Sequence, residues 1–162
     1  MAMTSDREFL RHTVATLSYR AAKVLRDAPP ALADYKPGPT SRSAVEVLAH
    51  MGDLFDWALS MGIGAPKWNN SPPLPWEAEC RRFFAAVKAF DDLLASDRPL
   101  SSETTRLFQG PVADALTHTG QIALMRRLLD APVKGESYNR ADIRAGRVAA
   151  EQTPPDPRYE FD

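Results

Sequence analysis

The sequence predicts an all-α fold: an antiparallel four-helix bundle with a long crossover between helices two and three and an irregular C-terminal strap. Three observations carry that prediction. Four stretches of about 18–22 residues place apolar side chains at the three- and four-residue spacings of a helix face. No stretch shows the apolar–polar alternation of a strand. Between the second and third helical stretches lies GAPKWNNSPPLP, too rich in proline and asparagine for regular structure. In a compact bundle so long a connection is functional or bridges distant helix ends.

The first helix is expected from roughly Asp6 to Arg26, with Phe9, Leu10, Val14, Leu17 and Ala21 on its apolar face. Ala28-Pro29-Pro30 stops it, because a proline disfavours the α conformation in the residue before it. The second opens on Ser43-Ala44-Val45-Glu46, a capping box in which hydroxyl and carboxylate satisfy two otherwise orphan amides. It runs to about Met61. The third begins near Pro75, which suits a first turn, with Glu77 and Glu79 complementing the helix dipole, and ends near Ser96. A connector over roughly 97–109 leads to the fourth. That helix is expected to start around Pro111, to carry Arg126 and Arg127 near its negative end, and to close at Ala131-Pro132. Beyond it only one turn, around Asn139 to Arg144, is expected. The 162 residues are thus read as one domain, 1–162, with a bundle over roughly 5–131 and an extension over 132–162.

Composition narrows the function classes. The hydrophobic content of 44% with 25% charged residues is that of a soluble globular chain. No apolar run approaches the roughly 20 residues of a membrane span. A formal net charge of -1 without a basic patch points away from nucleic acid. The N-terminal MAMTSDREFLRH turns polar at once and lacks the apolar stretch of a secretory signal. With a single cysteine, Cys80, no intrachain disulfide can form, and the expected location is the reducing cytoplasm. Flanked by Glu79, Arg81 and Arg82, with no histidine adjacent, Cys80 reads as a buried, inert thiol.

The three histidines carry the chemistry. On helix two, Val47, His50, Leu54, Trp57 and Met61 form a core-facing seam, so His50 points inward. On helix four the matching seam is Asp114, His118, Ile122, Met125 and Leu129. Asp114 and His118 share one face, about 5–6 Å apart at Cβ. A buried carboxylate is costly unless paired or bound to metal. Two readings therefore stay open: a hydrogen-bonded structural pair, or part of a site for zinc, nickel, iron or manganese with two imidazoles, one carboxylate and open positions. His12, on a mixed stripe with Phe9, Thr16 and Tyr19, reads as a boundary residue. Asp53 lies on the flank of the helix-two seam and is the candidate catalytic base; the alternative is an aspartate that is solvated or orients a ligand imidazole. Asp56 is expected to face solvent, and Trp57 either walls the pocket or fills the core. Gln121 is expected to hydrogen-bond across the bundle, and Gly120 to let another helix or a ligand come close.

VLAHMGDLFDWAL on helix two and DALTHTGQIALMRRLL on helix four together resemble the DinB/YfiT-like superfamily of metal-binding four-helix bundles. In that family a histidine of the second helix joins two histidines four apart in the last helix, often ahead of a Gly-Gln pair. Aligning Gly120-Gln121 with that pair puts His118 on the last ligand, His50 on the first and Asp114 on the middle one, where histidine is usual. A carboxylate there alters the metal preference or weakens binding. The resemblance also implies an antiparallel bundle with a long crossover and a homodimer. Its characterised relatives include mycothiol-dependent isomerases and bacillithiol transferases, in which a metal activates a small thiol. A transferase acting on a small thiol and an electrophile, or a non-catalytic metal-binding stress protein, is what it implies here.

Overall fold

The computed structural model describes residues 5–162; residues 1–4, where the polar N-terminal stretch begins, lie outside the described residues. Helix α1 spans Ser5–Leu25, α2 Ala44–Gly62 and α3 Trp76–Ala95. The fourth rod is composite: α4 over Thr104–Leu107, a π-turn over Phe108–Val112, then α5 over Ala113–Leu128. The α2 capping box forms as the sequence requires: Ser43 Oγ accepts from Glu46 N at 3.3 Å, and Ser43 N donates to Glu46 Oε2 at 2.6 Å.

Side-chain contacts give the rod directions. Arg7 near the start of α1 donates to the carbonyls of Leu93 and Leu94 at the end of α3, and Arg11 pairs with Asp91, so α1 and α3 are antiparallel. Arg126 near the end of α5 donates to the Val24 and Arg26 carbonyls at the end of α1, so those two run parallel. Arg82 bonds Ala49 and Asp53, and Leu93 packs on Gly62, so α2 and α3 also run parallel. The order is up, down, down, up. The chain must therefore return the length of α2, about 28 Å, before α3 begins. Residues 63–75 can reach about 43 Å when extended, enough for that return. This is the expected crossover.

The core between the rods is aromatic and aliphatic. Phe55 packs edge-on to Phe83 with ring centroids 5.9 Å apart and lies 6.0 Å from Phe90, all three fully buried. Of the expected α1 face, Leu10, Val14, Leu17 and Ala21 are buried, but Phe9 is 69% exposed. The fourth rod begins at Thr104, inside the expected connector, rather than at Pro111. Pro111 has no N–H, and its ring would collide with the carbonyl four residues back. The turn widens to π pitch and the rod continues, because Leu107, Pro111 and Val112 are buried against the core.

The C-terminal strap is the expected irregular segment, pinned by a two-residue antiparallel ladder. β1 (Gly135–Glu136) pairs with β2 (Glu160–Phe161). The expected turn appears as a 3₁₀ turn over Tyr138–Arg140, and a second, unexpected one spans Pro157–Tyr159, capped by Asp156. Buried Glu136 accepts from Tyr19 at 2.6 Å and from Lys23 at 2.9 Å, and Lys23 reaches Glu160 at 3.0 Å. The strap lies across its own α1 and α3, where Glu151 and Gln152 share a hollow with Leu25 and Phe84. No helix among the described residues is long and apolar enough to cross a membrane.

Candidate metal centre

Because α2 and α5 pack antiparallel, the middle of one faces the first turns of the other. His50, Asp114 and His118 meet there, each half-buried, with one donor atom apiece lying within 4.8 Å of the others. His50 Nε2 is 3.3 Å from Asp114 Oδ2, and His118 Nε2 is 3.5 Å from Asp114 Oδ1. The two imidazoles stand perpendicular, centroids 4.9 Å apart. Donors about 2.0–2.2 Å from a tetrahedral ion are themselves about 3.3–3.6 Å apart. Each imidazole meets a different Asp114 oxygen at about that distance, so the carboxylate bridges the two rings and the three side chains are close enough to hold one ion.

Proton placement strengthens the fit. His118 Nδ1 is 2.7 Å from Gln121 Oε1, a carbonyl oxygen that can only accept. His118 therefore donates from Nδ1, which leaves a lone pair on Nε2 aimed at a carboxylate oxygen. In that tautomer Nε2 is free to accept a proton or to bind a metal ion beside the Asp114 carboxylate. The outer hydrogen bond that fixes the tautomer of a ligand histidine is the usual companion of a metal site. His50 has its pKa lowered, chiefly by burial and further by the charges of His118 and Arg42, against the opposing hydrogen bond from Asp114. Its neutral, metal-binding form is favoured.

No family model matches the sequence, and no curated protein does. Among solved structures, a crystal structure from Exiguobacterium sibiricum 255-15, described as that of a DinB-family member, superposes with a TM-score of 0.65. The two are 18% identical over 83% of this chain and 98% of that one. The fold is DinB-like.

In this DinB-like bundle the crossover walls the cluster. Trp68 packs edge-on to His50 at 5.5 Å and to Trp57 at 5.7 Å. Trp57 is half-buried and so both packs and walls. Periodicity could not find Trp68, because it lies in a segment without regular structure. The crossover is itself held by a buried acid–base knot. Asp53 accepts from Ser71 N at 2.8 Å, from Ser71 Oγ at 2.7 Å and from Arg82 at 3.2 Å. Glu79 accepts from Leu74 N at 2.8 Å and from Arg82 Nε at 2.6 Å. A Cβ on Gly52 would lie 2.8 Å from Arg82 Nη2, so glycine makes room for the guanidinium.

Asp53, expected as a base, therefore lies beside the cluster but outside it, with its oxygens turned to Ser71 and Arg82. Asp56 is half-buried, not solvent-facing: it pairs with Arg82 at 3.4 Å, and burial raises its pKa. Gln121 bonds within its own helix rather than across the bundle, and no neighbouring helix lies within 4 Å of where a Gly120 side chain would start. His12 is exposed on α1, away from the cluster. The half-buried Cys80 thiol is pushed up to about 12, chiefly by burial and then by Glu77 and Glu79.

Proposed function

We propose that this chain is a DinB-family divalent-metal protein, with His50, Asp114 and His118 as its ligands and zinc or nickel as the metal. The observation that carries the reading is the convergence of one donor atom each from His50, Asp114 and His118 within 4.8 Å of one another, with His118 Nδ1 bonded to Gln121 Oε1 and Nε2 turned to Asp114. Iron and manganese suit the same donors less well, since two imidazoles favour the later metals. A bound divalent ion supplies one chemical effect, lowering the pKa of a coordinated thiol or water so that a nucleophile exists at neutral pH. Three protein ligands leave room for such a group.

The residues divide the remaining work. Gln121 fixes the orientation of His118, and Trp68, packed edge-on against His50 and Trp57, walls one side of the cluster. Asp53, tied to Ser71 and Arg82, positions the crossover that carries Trp68; the base role gives way to an anchoring one. The activity that fits is transfer of a small thiol to an electrophile. The proposed setting is a cytoplasmic homodimer, for which exposed Phe9 and Phe108, sharing one hollow of about 300 Å³, offer an apolar face.

Elemental analysis of untagged protein tests the reading. One zinc or nickel ion per chain, lost in His50→Ala, is the expected result; metal-free wild type that resists reconstitution overturns it. Metal-loaded protein that turns over no thiol–electrophile pair would instead favour a non-catalytic binding protein.

A further inference from the structure

Two hollows flank the histidine–aspartate cluster. The first, about 340 Å³, is mainly apolar, with His118 beside Val47, Leu124 and Met125. The second, about 240 Å³, is polar, with His50 beside Glu46, Asn70 and Ser71. One residue lines both: Arg42, the last residue before the Ser43 cap of α2. It is exposed, and among the described residues its guanidinium makes no hydrogen bond or ion pair. The acids around it are already engaged. Glu46 holds the Ser43 cap and pairs with Lys36 at 3.5 Å, and Asp53 is held by Ser71 and Arg82.

We propose that Arg42 recognises the carboxylate of a small anionic ligand whose other end occupies the open coordination positions at His50, Asp114 and His118. The inference rests on the metal reading above and adds the substrate class. Charge balance points to it. Two neutral imidazoles, one carboxylate and a divalent ion leave one positive charge, and Arg42 adds a second. A ligand that offers a thiolate and a carboxylate neutralises both. A planar guanidinium with five donors suits a carboxylate, which it can grip in bidentate fashion. The apolar hollow beneath Leu124 and Met125 then takes the carbon skeleton of the electrophile.

The test uses the full chain loaded with Co²⁺, whose visible bands report occupancy and whose sulfur-to-metal charge-transfer band reports thiol binding. The probes are 3-mercaptopropionate, which carries the carboxylate, and 2-mercaptoethanol, which does not. Arg42→Gln is expected to weaken the acid about two- to fivefold while leaving the neutral thiol unchanged, the range for loss of an exposed charge pair. Arg42→Lys keeps part of the preference, and Arg42→Glu reverses it. Full occupancy with the same acid-to-neutral ratio in Arg42→Gln as in wild type overturns this proposal alone. Absence of cobalt bands in the wild type overturns the metal reading, and this one with it.

Discussion

At the scale of single residues, the identity of a ligand is less informative than the group behind it. Gln121 is exposed and packs against little, so its truncation should leave the helix intact. Gln121→Ala frees the His118 tautomer, and metal affinity should fall about 10- to 100-fold, as for other losses of an outer hydrogen bond, with unchanged circular dichroism. A metal titration giving the wild-type constant would remove the tautomer argument. His50, Asp114 and His118 were legible because i, i+4 spacing and a seam need only helical geometry. The anchoring of Asp53 was not legible, because its partners come from 18 and 29 residues away and one sits in an irregular loop. Cys80 shows that local sequence does report reactivity when charge and burial agree. With its pKa raised to about 12 against an ordinary value near 9, its thiolate fraction at pH 8 falls about a thousandfold, partly offset by greater nucleophilicity. Iodoacetamide should label native protein roughly 30- to 100-fold more slowly than urea-unfolded protein at pH 8, the native rate still climbing above pH 10. Equal rates would place the thiol in open solvent.

Among elements, the crossover and the fourth rod set the site. Up-down-down-up order forces residues 63–75 along the bundle, and Arg82 is what fastens them. Its guanidinium joins Asp53, Asp56, Glu79 and the Ala49 carbonyl, with Asp53 and Glu79 almost wholly buried. Removing one partner of a buried pair costs about 3–5 kcal/mol, because the other charge stays buried. Arg82→Ala should lose stability in that range in urea unfolding, and native-state proteolysis should cut first within 63–75. A loss below about 1 kcal/mol would mean that the knot is solvated rather than structural. Helix positions were readable from period and caps, and the capping box at Ser43 formed as written. The π-turn was not, because proline alone signals a start as readily as a distortion; only burial of Leu107 and Pro111 decides between them. That turn matters to the site, since one added residue rotates Asp114 and His118 relative to the rod's first turn.

Across the whole molecule, the strap and the cluster occupy different faces. The strap packs on α1 and α3, whereas the cluster lies between α2 and α5, and α1 stands diagonal to α2. Among the described residues, the side chains that line the two hollows beside the cluster all come from the stretch 37–125, none from 132–162. The sequence marked the strap as irregular but could not say which face it covers, because Glu136 meets Tyr19 and Lys23 across more than a hundred residues. Stability and metal binding should therefore separate. Glu136→Ala strips Lys23 of one of its two carboxylates and leaves the Tyr19 hydroxyl without its acceptor, both in buried surroundings. The loss should lie toward the low end of about 3–5 kcal/mol, because Glu160 remains. Sites this far apart without shared partners behave additively. The metal dissociation constant of folded Glu136→Ala should then equal that of wild type, measured well below its melting temperature. A change in that constant would mean that the two faces communicate through α5, whose last turn ties to α1 through Arg126 and whose first turn carries Asp114.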